Sequence, residues 1–225
     1  MPDTKDLFDK ISNNYDLLNS LFSAGIDKIW RKKLVRNFNN GSFILDVATG
    51  TAEVLVEGLT LSKVDTGLGI DPSIEMLKIG KNKLLKKGFN NNTSLFKSEA
   101  ENLPFKDNIF DGVTIAFGIR NTKDYYRSLT EMHRVLRKDG TIAILEFAIP
   151  RISVFTSLYL FYFKNIMPFI GSLFGNRREY KYLSDSTTEF PQRDVFQNIL
   201  TECGFKECEF EELSFGIAII YTGIK

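Results

Sequence analysis

From Ser42 onward the chain alternates short apolar runs with helix-length segments, and this alternation leaves few folds open. The runs are FILDVA (43–48), TGLGID (66–71), SLFKSEA (94–100), FDGVTIAF (110–117) and TIAILEF (141–147). Strands separated in this way need crossover connections, which predicts five parallel strands in an α/β sheet. Between the fourth and fifth, Tyr125, Leu129, Met132 and Leu136 mark one helix face, and Lys138-Asp139-Gly140 is expected to end that helix. Farther on, VFQNILTECGF reads as a helix closed by Gly204. CEFEELS and GIAIIYTGIK are then joined tightly enough to pair antiparallel. The expectation is a Rossmann-like, mostly parallel seven-stranded sheet with an antiparallel last strand, whereas nicotinamide-binding domains usually continue in parallel βαβ units.

The 225 residues, 43% of them hydrophobic, suffice for one buried core, so residues 1–225 are expected to form a single domain. Residues 3 to 38 carry helical apolar spacing in three successive runs: Leu7, Phe8, Ile11; then Leu17, Leu18, Leu21, Phe22; then Ile26, Ile29, Trp30, Leu34. They form an N-terminal helical cap (1–40). An aromatic-rich apolar insert occupies 151–191. Its longest run, Ile152 to Phe163, is about half of the ~20 residues that span a bilayer, so it is not expected to cross one.

Twenty-nine Lys and Arg against 28 Asp and Glu leave a net charge of +1, which gives no global field for capturing nucleic acid. The five lysines of KIGKNKLLKK (78–87) read as a solvated helix face before a membrane-attracted one. The start, MPDTKDLFDK, lacks the features of a signal peptide, which points to the cytoplasm. Cys203 and Cys208 lack metal-ligand spacing and read as inert thiols, and no metal is expected.

The turn after the first strand reads LDVATGTAEV. A dinucleotide fold would place G-x-G-x-x-G here, and only Gly50 is glycine. An acid closing the strand before a small-residue turn suits the ammonium group of S-adenosylmethionine, which Asp46 and the Gly50 carbonyl could hold beside Thr51. Asp71 ends the second strand where a carboxylate can accept hydrogen bonds from both ribose hydroxyls, or can cap the next helix. Glu99 and Ala100, at the end of the third, are placed to meet an adenine edge.

Several segments resemble a known family, the ubiquinone/menaquinone biosynthesis C-methyltransferases, which include demethylmenaquinone methyltransferases. They are YDLLNSLFSAGIDKIWR, LDVATGT, GIDPSIEML, AENLPFKDNIFDGVTIAFGIRN, RVLRKDG, LEFAIP and EYKYLSDSTTEFP, which together run end to end. The resemblance implies a methyltransferase of the Rossmann-like class I fold, cofactor contact at Thr51, Asp71 and Glu99-Ala100, an isoprenoid hydroquinone substrate, and no metal. The chain departs from the family's usual Gly-Thr-Gly-Asp at Gly50-Thr51-Ala52-Glu53, where the Ala52 methyl is expected to crowd the cofactor. Ala116 stands where a serine is common, and Tyr221 where a histidine is frequent.

Methyl transfer to a ring carbon needs in-line positioning and an activated ring. A reduced hydroquinone becomes carbon-nucleophilic as a hydroxyl loses its proton, so stabilising the phenolate should accelerate the step. Arg120 and Asn121 follow the fourth strand at the edge where such folds bind ligands, and are the candidates for this chemistry; a salt bridge and a helix cap are their structural alternative. His133 lies far from that edge in sequence and is read as a surface or capping residue. Tyr15 and Asn19 of the cap, with Tyr180, Tyr182 and Ser186 of the insert, are candidates to close over the ring. The insert would offer an apolar groove and transient contact with the inner face of the cytoplasmic membrane. Competing readings are methylation of a soluble small molecule, a quinone-binding protein without turnover, and a nicotinamide oxidoreductase. Self-association as a homo-oligomer is compatible with the sequence.

Overall fold

The structure, a computed structural model, describes residues 25–151 and 185–225. The first two cap runs and most of the apolar insert lie outside the described residues. Helix α1 (Asp27–Val35) is the third cap run. Its buried face is Trp30, Arg31, Leu34 and Val35, while Ile29 is 64% exposed, so the expected apolar stripe turns away from Ile29.

Strand β1 (Ser42–Val47) leads through α2 (Glu53–Thr60) to β2 (Val64–Asp71), and α3 (Ile74–Lys86) leads to β3 (Thr93–Lys97). Strand β4 (Phe110–Ala116) is followed by a 3-10 turn (Ile119–Asn121), α4 (Tyr125–Val135) and β5 (Leu136–Phe147). Helix α5 (Asp194–Glu202) precedes β6 (Lys206–Leu213) and β7 (Ala218–Ile224). The sheet order is β3-β2-β1-β4-β5-β7-β6, with β7 antiparallel to both neighbours and the other six strands running one way. The Rossmann-like sheet expected from the sequence is therefore the one that forms.

Two boundaries differ from the expectation. Helix α4 stops at Val135, and Leu136 already pairs with Phe110. The Lys138-Asp139-Gly140 stretch instead forms an irregularity within β5, with Asp139 at φ +60° and pairing resumed at Thr141. Strand β3 ends at Lys97, so Glu99 and Ala100 sit in the loop beyond it. Gly204, at φ +98°, does close α5.

Alternate residues of the central strands feed two cores. Leu45, Val47, Val113, Ile115, Ile142 and Ile144 pack on one face, and Ile44, Ala143 and Leu145 join Trp30, Leu34 and Leu55 on the other. The strand order turns back between β1 and β4, which opens a crevice beyond their carboxyl ends.

Candidate active site at the carboxyl edge of the sheet

The loop after β1 takes left-handed backbone at Ala48 (φ +51°), Gly50 (φ +53°) and Ala52 (φ +64°). It is held from three directions. The Thr49 N–H donates to the Ile70 carbonyl at 2.8 Å, the Gly50 N–H donates to Asp71 Oδ2 at 2.9 Å, and helix α3 closes on the loop at Gly80. A side chain at Gly80 would bring its Cβ within 3.2 Å of the Ala52 methyl and 3.1 Å of the Thr51 carbonyl carbon. The Ala52 methyl is thus fully buried against α3, not turned to the open side of the loop, and the expected crowding of the cofactor is not what its packing shows. The open side is at Gly50, where an added Cβ would meet nothing within 4 Å.

Asp46 is buried, and its Oδ2 accepts a hydrogen bond from the Thr49 hydroxyl at 2.6 Å. Its Oδ1 has no partner among the described residues. Burial pushes the carboxyl up to about 7, against the downward pull of the Thr49 hydroxyl and of Arg31. Thr114, its register partner on β4, also carries a buried hydroxyl without a hydrogen-bond partner among the described residues. Asp71 is buried with both oxygens engaged: Oδ2 holds Gly50 and Oδ1 accepts the Ser73 N–H at 2.8 Å. The α3 cap itself is Ser73, whose hydroxyl accepts from the Met76 N–H, so Asp71 ties the end of β2 to the β1 loop. The Thr51 hydroxyl accepts from Lys83 Nζ at 3.1 Å, and Lys83 also pairs with Glu53. One of the five lysines is therefore committed to this loop. Glu99 is exposed and pairs with Lys123 at 3.0 Å, while Ala100 is buried beneath it.

On β4 and β5 a second polar cluster forms. Arg120 and Glu146 make an ion pair with side chains 2% and 1% exposed. Arg120 also donates to the Phe117 carbonyl at 3.1 Å, and the amide of Asn121 donates to the same carbonyl at 3.1 Å. Glu146 accepts the Phe147 N–H at 3.0 Å. Arg120 Nε, Asn121 Oδ1 and Glu146 Oε2 are buried without hydrogen-bond partners among the described residues. Burial raises the Glu146 carboxyl above its ordinary value, with Arg120 opposing. Asn121 does not cap α4; that role falls to Asp124, which accepts the Arg127 N–H at 3.0 Å.

A ring stack joins the two clusters. Phe117 and Phe147 stack at 4.4 Å, Trp30 of α1 packs on both, and guanidinium carbons lie 5.5 Å from each ring, Arg31 over Phe117 and Arg120 over Phe147. Arg31 is itself paired with Asp27 within α1. The sequence reading missed Glu146, Phe147, Phe117 and Arg31. An acid inside the otherwise apolar run TIAILEF was the available signal for the first.

The remaining predicted residues divide. Ser186 is half-buried in a helical turn over 185–189, and that segment is tied to the chain beyond β5 through Gln192, which accepts the Ile149 N–H at 3.0 Å. Tyr15, Asn19, Tyr180 and Tyr182 lie outside the described residues. His133 is not a free surface side chain: it packs edge-on against Phe205 with ring centroids 5.0 Å apart, near Lys225 at the opposite edge of the sheet. Tyr221 lies buried in the middle of β7, and its hydroxyl accepts the Arg193 N–H at 2.7 Å. Burial pushes the Cys203 thiol up to about 11 and that of Cys208 upward, consistent with unreactive thiols. Among the described residues no group of His, Cys, Asp and Glu could hold a metal ion.

The ubiE/COQ5 methyltransferase family model matches residues 2–225. The chain belongs to the ubiE/COQ5 methyltransferase family. Within this family it is 44% identical to the ubiquinone/menaquinone biosynthesis C-methyltransferase UbiE of Geotalea uraniireducens, over 98% of this chain and 95% of the relative. It is 39% identical to the demethylmenaquinone methyltransferase of Staphylococcus saprophyticus, over 98% and 95%. Among solved structures, an S-adenosylmethionine-dependent methyltransferase of Thermotoga maritima superposes with a TM-score of 0.69 at 19% identity, covering 98% of this chain and 99% of that one, which shows the shared fold. The carboxyl-edge loop and the β4–β5 cluster are thus features of a ubiE/COQ5 chain.

Proposed function

We propose that the chain methylates a ring carbon of a demethylated isoprenoid hydroquinone in quinone biosynthesis, with S-adenosylmethionine as the donor. The observation that carries this reading is that five of the six buried polar atoms without partners among the described residues, on Asp46, Thr114, Arg120, Asn121 and Glu146, lie toward the carboxyl side of the sheet, in a chain of the ubiE/COQ5 family. Such atoms are costly in a folded protein unless water, an ion or a ligand completes them.

The β1 loop fits the donor. Asp46 Oδ1 is a buried acceptor lacking a partner, which a cationic amino group would complete, and Gly50 leaves its side of the loop open. We assign the donor to Asp46, Gly50, the Thr51 backbone, Asp71 and the Glu99-Ala100 pair. Bound there, its sulfonium supplies an electrophilic methyl group. Asp71, at the end of β2, is assigned to the ribose and fixes the loop through Gly50 and Ser73.

Arg120 and Asn121 serve the acceptor ring. A fixed guanidinium favours negative charge developing on the ring oxygen, which is why the reduced quinol is the expected substrate. Tyr15, Asn19, Tyr180, Tyr182 and Ser186 close over that ring, and the 151–191 insert takes up the isoprenoid tail, with cap, sheet and insert acting as one domain. Among the described residues no helix is long and apolar enough to cross a membrane. A cytoplasmic enzyme making peripheral contact with the inner face of the membrane would meet its lipid substrate there.

The test is mass spectrometry of the quinone pool in cells lacking this protein. A demethylated precursor should accumulate and disappear on re-expression. An unchanged pool would overturn the quinol reading and favour a soluble acceptor.

A further inference from the structure

Phenolate formation requires a group that takes the ring hydroxyl's proton. The ordinary candidates are poorly placed: His133 is at the far edge of the sheet, and the Tyr221 hydroxyl is buried and already occupied by the Arg193 N–H. Arg120 keeps its own proton and cannot serve as a conventional base.

Resting on the quinol reading, we propose that Glu146 is the proton acceptor for the ring hydroxyl, and that Arg120 holds it in place and then takes the phenolate as its new partner. Three features of the geometry point there. Glu146 stands at the carboxyl end of β5, one residue before the strand ends, beside the turn that carries Arg120 and Asn121. One of its oxygens is spoken for by Arg120 and the Phe147 N–H, which fixes the carboxylate plane. The other, Oε2, is a buried acceptor with no partner among the described residues, as are its neighbours Arg120 Nε and Asn121 Oδ1.

The charge arithmetic favours this arrangement. Before transfer, Arg120 and Glu146 form a neutral pair. In the step, the ring O–H bond breaks with its electron pair remaining on the ring oxygen, and a new O–H bond forms at Glu146. Arg120 then faces a phenolate in place of a carboxylate, so one buried ion pair is exchanged for another and no uncompensated charge appears in a low-dielectric site. A carboxyl raised by burial is also better matched to a phenolic proton than an exposed one. The charged or titratable groups facing Glu146 are Arg120 from the β4 side and the Tyr221 phenol from β7.

The test pairs turnover with a spectroscopic signature. In the full-length protein, Glu146→Gln keeps the shape and the Arg120 contact but cannot take a proton. Its kcat with the reduced quinol should fall by about 10²- to 10⁴-fold, while the S-adenosylmethionine dissociation constant stays within a few-fold. The acidic limb of the wild-type kcat–pH profile should go with it. Glu146→Asp should restore part of the rate. In parallel, infrared difference spectra of the wild-type protein saturated with S-adenosylhomocysteine, before and after adding a naphthohydroquinone, should show a protonated carboxylic acid band appearing on binding. The band should be missing in Glu146→Gln. A Gln variant that turns over at the wild-type rate, or a wild-type complex that gains no carboxylic acid band, overturns the proposal. Because the infrared experiment needs no methyl transfer, it reads proton transfer to Glu146 separately from turnover, and naphthohydroquinone that fails to bind at all counts against the quinol reading itself. Methylation that persists without Glu146 removes this inference and leaves the quinol reading intact.

Discussion

The two edges of the sheet treat their polar groups in opposite ways: those at the amino edge are partly exposed and paired, those at the carboxyl side are buried and incompletely paired. At the amino edge, Arg134 donates to Glu131, Asp107 and the carbonyls of Phe105 and Leu103, and Lys225 closes on Asn108 and the Arg134 carbonyl. At the carboxyl side lie Asp46, Thr114, Arg120, Asn121 and Glu146, which hold all but one of the buried side-chain polar atoms without hydrogen-bond partners among the described residues. The other is Glu57 in α2. Satisfied networks stabilise a fold, and buried polar groups without protein partners cost it free energy that ordered water, an ion or a ligand returns. One edge is therefore tied together by its own side chains, and the other is where we propose that ligands bind.

The largest expected effect on this comparison comes from Arg120→Ala. Removing one partner of a buried pair leaves Glu146 uncompensated, which should cost about 3–5 kcal/mol in denaturant unfolding. Turnover should fall by about 10²- to 10³-fold, with donor affinity near wild type. Arg120→Met combined with Glu146→Leu should recover most of the stability and none of the turnover. If the double variant recovers both, the pair is only structural.

Next in size is Asp46→Asn. Burial pushes the folded Asp46 carboxyl up to about 7, well above an ordinary aspartate, so the folded state binds its proton more tightly than the unfolded chain. Stability from this residue is present below about pH 4 and lost as pH rises through 7. The Asn variant should therefore be more stable than wild type by roughly 2–4 kcal/mol at pH 8 without ligand, and equal to it near pH 4. It should bind S-adenosylmethionine more weakly. Thermal melts across that pH range decide this, and a variant less stable at pH 8 would mean that Asp46 is structural.

Asp71→Ala should weaken donor binding by about 1.5–3 kcal/mol through lost hydrogen bonds, read by titration calorimetry on a folded variant. An unchanged dissociation constant would remove the ribose role. The smallest effect belongs to the other edge: Arg134→Ala should cost about 1–2 kcal/mol of stability and leave kcat unchanged. A loss of turnover without a loss of stability would erase the distinction between the edges.

The strands and their directions were legible because apolar runs of strand length separated by helix-length segments admit little else, whereas their order in the sheet is set by long-range pairing. The local misreadings have one cause. Lys138-Asp139-Gly140 carries the chemistry of a helix stop, but strand pairing to β4 captures the chain at Leu136 before that turn. Asp46, Gly50 and Asp71 could be proposed as site residues because the β1 loop and the end of β2 are contiguous motifs. The Arg120–Glu146 pair joins residues 26 positions apart, one in the turn after β4 and one in β5, and no local pattern announces such a partner. Ala52 shows the same limit: its methyl is read correctly only once Gly80 of α3 is seen against it.

Methyl transfer to the ring carbon of a reduced quinol is read by incubating the purified chain anaerobically with methyl-labelled S-adenosylmethionine and a demethylmenaquinol, then locating the label by NMR and mass spectrometry. One labelled methyl group is expected on a ring carbon with the reduced substrate and none with the oxidised quinone. Label on a ring oxygen, equal transfer to the oxidised form, or no transfer by a folded chain that binds the donor would contradict it.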